Sequence, residues 1–248
     1  MATPSLLLLL ADGRFPAGAH AHSGGLEAAV AAGRVTDLAS LEAFLAGRLA
    51  TAGLVGAAFA AAAHRVAMPE PIGSAHPARS AQPSDTPAES AARSRALARL
   101  DAELDARTAA PALRAVSRRQ GRALLRAGRT IWPDAPFADL PATPGGAHQP
   151  LVLGLLCAAA GLSRVETATI AAYGTLTGAA SAGVRLLGLD PYQVQALLVG
   201  LADACDGTAA DAARAADDPP ERLPAAAAPL ADIHAEIHAT WEVRLFAS

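Results

Sequence analysis

Apolar residues recur along this chain with the spacing of one helical face, and no segment alternates convincingly with the two-residue period of a strand. The clearest example lies early in the chain and comprises Leu38, Leu41, Leu45 and Leu49. Stretches rich in glycine, proline and small polar residues separate the periodic segments. The pattern predicts an all-α fold, a single helical bundle of about eight to ten helices that spans residues 1–248.

Residues typical of helix ends mark several boundaries. Thr36 or Asp37 is placed to cap the leucine-rich helix, and Ser163-Arg-Val-Glu166 has the spacing of a capping box. Pro111 is expected in a first turn, where its missing N–H costs nothing. Gly128 is expected to end the helix that Pro111 begins.

Other boundaries rest on single residues. Ser23 is expected to cap a short helix with Glu27 in its first turn, where the helix dipole favours a carboxylate. Gly53 and Gly56 are expected to interrupt the helical pattern that follows. The final helix is expected to run to about Val243.

One stretch differs from the rest in composition. Between Met68 and Pro87 the chain is rich in Pro, Ser, Ala and Gln and holds hardly any large apolar residue. This composition predicts a flexible, disordered-looking excursion from the bundle at about 68–87. Because little core would be lost, we expect removal of Ser74 to Ser84 to leave stability and partner binding nearly intact.

The composition favours helices and removes several enzyme classes. Apolar residues make up 52% of the chain, aromatic residues only 4%, and alanine, the best helix former, is abundant. All 20 basic residues are arginine. Without lysine the chain cannot supply a P-loop lysine, a Schiff base or a lysine general base. The HExxH, GxSxG and GxGxxG motifs are also absent from the sequence, and we expect no enzyme activity.

Charge and cysteine usage indicate the setting. A net charge of −3 and a pI of about 6.1 give no general attraction to nucleic acid. Cys157 and Cys205 are expected to be buried reduced thiols. The apolar run Leu6 to Leu10 is too short for a signal peptide, and Thr167 to Val184 is too polar for a membrane span. We expect a cytoplasmic protein without membrane contact.

Two histidine pairs could contribute metal ligands. His20 and His22 lie in the first loop, and His234 and His238 are four residues apart on one helical face. A protein metal site needs three or four ligands, and the sequence places no cysteine pair nearby. We therefore expect solvated or hydrogen-bonded histidines, and no stably bound metal or other cofactor.

One predicted helix carries a row of arginines. Four of them recur at four-residue spacing with a fifth close by, and these are Arg114, Arg118, Arg122, Arg126 and Arg119. Such a row is typical of a solvated face. It is equally suited to holding acidic side chains of a partner, because a guanidinium binds a carboxylate through two hydrogen bonds. The sequence leaves both interpretations open.

The first loop is similar to a known family. The segments Leu9-Leu-Ala-Asp12, Phe15-Pro16, Gly18 and His22-Ser-Gly-Gly-Leu-Glu27 together resemble the N-terminal signature of the urease accessory protein family UreF. Four further blocks resemble that family in the same order. They are Leu113-Arg-Ala-Val-Ser-Arg-Arg-Gln-Gly-Arg-Ala-Leu-Leu125, His148 with Pro150 and Gly154, Ser181-Ala-Gly-Val-Arg-Leu186 with Gln195, and His238 with the terminal Arg244-Leu-Phe-Ala-Ser248.

The resemblance implies an all-α fold and a homodimer that assembles with a UreD-type protein and a UreG-type GTPase. That complex delivers nickel to apo-urease, so nickel is handled by the complex and this chain is a non-catalytic scaffold or chaperone. The positions that match the family's motifs and are thereby implied in partner binding are His20, His22, Ser23, Glu27, Ser117, Gly121, Arg122, Arg185, Gln195, His238, Arg244, Phe246 and Ser248.

Two other functions remain open at this point. The chain could regulate the GTPase by supplying an arginine in trans, and Arg122, Arg185 and Arg244 are the candidates. It could also be an unrelated helical DNA-binding regulator, although no convincing partner helix precedes the arginine row.

The C-terminal tail has two interpretations as well. Arg244 and Phe246 are residue types that dominate interface hot spots, which predicts a mobile tail that becomes ordered on a partner. Alternatively, Phe246 packs into the protein's own core. The sequence does not decide between them, and on the first interpretation deletion of Arg244 to Ser248 abolishes assembly without unfolding the chain.

Overall fold

The prediction of an all-α fold is confirmed. A computed structural model of the protein describes residues 4–16, 21–68 and 86–246. The structure is 73% helical, and no strand occurs within the described residues. The α-helices are α1 Pro4–Ala11, α2 Leu26–Ala31, α3 Leu38–Arg48, α4 Leu54–Ala67, α5 Pro87–Arg107, α6 Pro111–Ile131, α7 Gln149–Ala159, α8 Arg164–Leu187, α9 Pro191–Gly200, α10 Ala202–Ala215 and α11 Pro229–Ala239.

Helices α3 and α4 form one continuous helix, which corrects the expected interruption at Gly53 and Gly56. A π-helical turn, Leu49–Gly53, joins them, and Gly53 keeps helical angles of φ −64° and ψ −52°. Glycine is tolerated there because the surrounding helices fix the backbone, which overrides its low propensity. Counted as one helix, α3 and α4 bring the described total to ten, within the predicted range.

Helix α4 is the centre of the bundle and packs against α7, α8 and α10. Its residues from Ala57 to Ala63 are all buried, and Phe59 is fully enclosed. Close approach to α7 depends on Gly154, since a Cβ there would lie 2.7 Å from the His64 backbone nitrogen. The alanine-rich sequence therefore serves tight helix packing around a single core.

Three predicted helix starts are confirmed and one is wrong, since the N-cap of α2 is Gly25 and not Ser23. Asp37 caps α3 and accepts from the Ser40 backbone N–H at 2.8 Å. The predicted capping box of Ser163 and Glu166 begins α8, and Pro111 lies in the first turn of α6. These boundaries are local in origin, which is why they are readable without the fold.

Two predicted helix ends are wrong. Gly128 does not end α6, which continues to Ile131. A Cβ at Gly128 would lie 2.8 Å from the Phe137 ring, so this glycine makes room for a packed side chain. The last helix ends at Ala239 and not near Val243, because the chain turns back there to bring its tail against α2.

Other expectations concern burial. Cys157 and Cys205 are both free and buried, as predicted, and burial raises the pKa of their thiols to about 12 and about 11. The continuous helix Leu38–Ala67 is long and apolar enough to span a membrane, but its second half supplies the core of the bundle. The proposed excursion at 68–87 falls almost wholly outside the described residues, as does the segment Ser74 to Ser84.

Candidate functional site

The first loop and the C-terminal tail meet at one buried carboxylate. Glu27, on α2, is 8% exposed and accepts the backbone N–H of Leu245 at 2.8 Å and that of Phe246 at 3.0 Å. It also binds Nε2 of His238 at 3.0 Å. Ser23 is buried beneath it and accepts the Glu27 backbone N–H at 3.3 Å. We call these five residues the loop–tail junction.

The loop–tail junction favours an ionised Glu27. Burial acts to raise the pKa of this carboxyl, but the hydrogen bonds from Leu245, His238 and Phe246 outweigh burial and leave the pKa below its ordinary value. His238 is 2% exposed, and its ring also contacts Trp241 with a centroid separation of 4.7 Å. The carboxylate therefore accepts three hydrogen bonds from chain segments more than two hundred residues away.

Phe246 belongs to the protein's own core. It is 5% exposed, and the Arg185 guanidinium lies 4.9 Å from the centre of its ring. Arg244 and Leu245, by contrast, are exposed. The expected mobile tail is thus wrong as far as Phe246, because Glu27 and the core hold the backbone in place. Whether the tail also binds a partner stays a prediction.

A second buried polar cluster holds the segment before α7 against α5 and α6. Nδ1 of His148 lies 3.0 Å from the Ser117 hydroxyl, and Nε2 lies 3.1 Å from Asp105. Asp101 accepts the His148 backbone N–H at 3.0 Å. Arg118 donates to both aspartates, at 3.0 and 2.7 Å. We call these five residues the α6 junction.

The charges of the α6 junction compensate each other. Burial opposes the charged forms of Asp105 and Arg118, but their mutual hydrogen bonds dominate, so the pKa of Asp105 is lowered and that of Arg118 is raised. Burial lowers the pKa of His148 despite both nearby carboxylates, and the Arg118 charge acts in the same direction. The imidazole is therefore held neutral within an ionised network.

Gly121 and Arg122 complete this contact. An added Cβ at Gly121 would clash with the backbone oxygen of Ala147 and lie 3.2 Å from the backbone nitrogen of Gln149. Arg122 is exposed and donates to the Gly145 carbonyl. Family motif positions on α6 thus fix the backbone that leads into α7.

The arginine row on α6 is largely occupied within the fold. Arg114 donates to the carbonyls of Thr108 and Ala109 at 2.7 and 3.0 Å, and Arg118 and Arg122 have the partners given above. Arg126 is exposed. Most of the row therefore stabilises the bundle, and the hypothesis of an acid-binding dock along its whole length loses its support.

The remaining predicted positions are dispersed. His22 is half-buried beside α8, and Gln195 is exposed on α9. His20 and Ser248 lie outside the described residues. Within residues 4–16, 21–68 and 86–246, no group of three His, Cys, Asp or Glu side chains is arranged to hold a metal ion.

Sequence reasoning missed three residues. Asp101 and Asp105 are four apart on α5 and so share one helical face, which was the available signal. Arg48 was also missed. It ends the leucine-rich α3, and nothing in its local sequence distinguishes it from a helix-terminal arginine.

Known proteins are similar to this chain over its whole length. The family model for UreF matches residues 35–202. A urease accessory protein UreF from Mycolicibacterium vanbaalenii is 41% identical over 248 residues, which cover 100% of both chains. One from Mycobacterium sp. (strain JLS) is 42% identical over the same extent, and one from Mycobacterium tuberculosis is 39% identical over 212 residues, 86% of each chain.

The end-to-end matches extend over the segments that form the loop–tail junction, which lies outside residues 35–202, and the α6 junction lies inside that range. On the extent of these matches and the all-α fold, the chain belongs to the UreF family of urease accessory proteins.

Proposed function

We propose that this chain is a non-catalytic scaffold in urease maturation, which assembles with a UreD-type protein and a UreG-type GTPase so that nickel reaches apo-urease. Its membership of the UreF family carries the proposal, since relatives matched over the full chain are named urease accessory proteins. In this function nickel is cargo of the complex and not a resident cofactor. The proposal includes a homodimer and a cytoplasmic location.

Exposure divides the residues at and around the tail into two groups. Ser23, Glu27, His238 and Phe246 are buried and hold the tail. Residues near the tail remain open to solvent, and these are Arg244, Leu245 and the apolar side chains Leu230, Ile233 and Ile237 of α11. Apolar residues at positions i, i+3 and i+7 on an exposed helix are typical of a binding face. We propose that the buried group positions the exposed group for a partner.

Regulation of the GTPase by an arginine in trans is the alternative, and the geometry favours one of its three candidates. Arg122 is bound to the Gly145 carbonyl, and Arg185 lies over the Phe246 ring. Arg244 is exposed on a backbone that Glu27 fixes at the next two residues. An arginine presented from a fixed backbone suits insertion into a GTPase site. DNA binding has no such support, since most of the arginine row is occupied internally.

Co-expression with tagged UreD-type and UreG-type proteins tests the scaffold. We expect the wild-type chain to co-purify with the tagged partner, and the double substitution Ile233→Asp and Ile237→Asp to abolish that capture while the melting temperature stays nearly unchanged. The matched control is Val199→Asp, at an exposed apolar residue on α9. Failure of the wild-type chain to co-purify with either protein would contradict the proposal.

The same complexes distinguish the alternative function. In a scaffold, Arg244→Ala changes affinity for a partner and leaves the turnover number of the bound GTPase unchanged. If Arg244 acts in trans, its loss lowers GTP hydrolysis by about three orders of magnitude at saturating concentrations of this chain. The GTP hydrolysis rate at saturation therefore separates the two functions.

A further inference from the structure

Arg48 is a half-buried arginine without a carboxylate partner among the described residues. Its Nε is buried and has no hydrogen-bond partner, and no Asp or Glu of the described residues forms an ion pair with it. The Phe44 ring centre lies 6.0 Å from the guanidinium carbon, and Gly24 lies beside the guanidinium. Burial lowers its pKa to about 10. The guanidinium thus has one buried, unpaired N–H group, and no carboxylate among the described residues pairs with its charge.

The Arg48 guanidinium lies against the first loop at Gly24. At Gly24, whose φ is +62°, an added Cβ would lie 3.0 Å from both Cζ and Nη2 of Arg48. The side chain as a whole keeps partial exposure, since it lines an open groove of about 1740 Å³ to which residues of α1, α3, α6, α8 and α11 all contribute. The guanidinium therefore lies between Gly24 and the groove.

The groove is large enough to admit a protein segment. Its volume exceeds the roughly 300–1,000 Å³ of small-molecule sites. Gly47 on α3 and Gly174 on α8 line it, and a Cβ at either would meet no atom within 4 Å. A glycine in a helix interior costs about 1 kcal/mol relative to alanine, and packing within the described chain does not require either glycine. Both glycines leave room for close approach from outside.

We propose that Arg48 receives an Asp or Glu side chain of a partner protein, and that the segment carrying this carboxylate enters the groove on assembly. A guanidinium pairs with a carboxylate through two parallel hydrogen bonds, which would satisfy the unpaired Nε. The inference rests on the proposed function, because it assigns one contact within the proposed complex.

Replacing Arg48 with Met gives the first test, because Met keeps the length of the stem and removes the charge. We expect partner capture by the R48M chain to weaken at least about tenfold, while its melting temperature stays equal or rises, since an unpaired buried charge is lost. Arg95→Met, at an exposed arginine on α5, is the control for net charge. A clear fall in the R48M melting temperature would show that Arg48 serves the fold, and would overturn the inference.

Filling the site from within gives the second test. Ala52 is exposed in the groove and lies four residues after Arg48. We expect Ala52→Glu to raise the melting temperature and to weaken partner capture more than Ala52→Gln, which has the same size without the charge. Equal effects of the two substitutions would mean that only bulk matters there and would overturn the inference.

The source of the carboxylate is tested on the same proteins. A rise in melting temperature with 10 mM sodium acetate or sulfate, seen in wild type and absent in R48M, would assign the site to free anions. Loss of self-association in R48M at unchanged partner capture would assign it to a second copy. Either result overturns the inference.

Partner capture distinguishes failure of this inference from failure of the proposed function. If wild type captures neither partner, the proposed function itself fails. If R48M captures partners as wild type does, only this inference fails.

Discussion

Glu27 and Asp101 each bind a non-helical segment to the bundle, but the two junctions differ in the number of carboxylates that accept the hydrogen bonds. At the loop–tail junction a single carboxylate accepts all the hydrogen bonds, from His238 and from two tail N–H groups. At the α6 junction two aspartates share one arginine and one histidine. One junction has a single acceptor at a free chain end, and the other is redundant and lies in mid-chain. Loss of one carboxylate can therefore release the tail at the loop–tail junction, whereas the α6 junction keeps its segment in place when one aspartate is lost.

Removing the single acceptor should have the largest effect. Glu27→Ala leaves buried His238 and the tail N–H groups of Leu245 and Phe246 without their acceptor, and we expect a loss of about 3 kcal/mol in the free energy of unfolding. Urea denaturation measures that loss, and hydrogen exchange should show fast exchange at the Leu245 and Phe246 amides. Glu27→Gln keeps the size and one acceptor oxygen and should lose less. Full protection of those amides in the alanine variant would contradict the account of the junction.

Packing at the α6 junction should be the next most sensitive feature. Gly121→Ala places a Cβ against backbone atoms of residues 147 and 149, which cannot move independently. We expect a loss of about 1–3 kcal/mol in the free energy of unfolding. Gly174→Ala is the matched control on α8, since its Cβ meets nothing and helix propensity alone should stabilise it by up to about 1 kcal/mol. Equal effects of the two substitutions would show that Gly121 is not a contact residue.

Redundancy predicts a smaller effect for the shared aspartates. Asp105 is 40% exposed, so solvent screening reduces the value of its ion pair, and Asp101 keeps Arg118 paired in its absence. We expect Asp105→Asn to cost about 1 kcal/mol or less in thermal or urea unfolding. A loss as large as that of Glu27→Ala would remove the contrast between the two junctions.

Acidification should have the smallest effect of these changes. It should act on the histidines and on Glu27 in different pH ranges. Burial lowers the pKa of His64 and His148 from the ordinary 6.5, so their contribution to stability is complete above that pH and falls as the pH drops below it. The lowered pKa of Glu27 gives a contribution that is lost only as the pH falls below its ordinary 4.5.

Melting temperatures and tail amide exchange measure these two windows separately. We expect a modest fall in melting temperature just below pH 6.5, reduced in the variant His148→Gln, while the Leu245 amide stays protected. Release of the tail should begin only below about pH 4.5. Fast exchange of the Leu245 amide near pH 6 would contradict the assignment of the loop–tail junction to the Glu27 carboxylate.

Local chemistry explains which features of the fold were predictable. The caps at Asp37 and Ser163 involve partners three residues away, so the sequence contains them whole. Gly128 and Gly53 were misread as helix breaks because their role is set by packing, against Phe137 and against the helices around α4, and not by a local helix-end signal. Propensity is a weak guide where packing decides.

The sequence identified several residues of the site but not the contacts between them. The family resemblance singled out Glu27, His238 and Phe246, yet their contacts span 211 to 219 residues and no spacing rule joins them. Arg48 carried no signal at all, since its distinctive property is the absence of a partner among the described residues. That property exists only in three dimensions.

The nickel content of urease tests the central proposal most directly. Urease is purified from cells that express the complete operon, the operon without this gene, and the latter with the gene supplied separately, all at the same limiting nickel concentration. We predict that urease made without the chain is assembled but nearly free of nickel and inactive, and that supplying the chain restores both nickel and activity. Urease that is fully loaded with nickel and active in the absence of this chain would contradict the account.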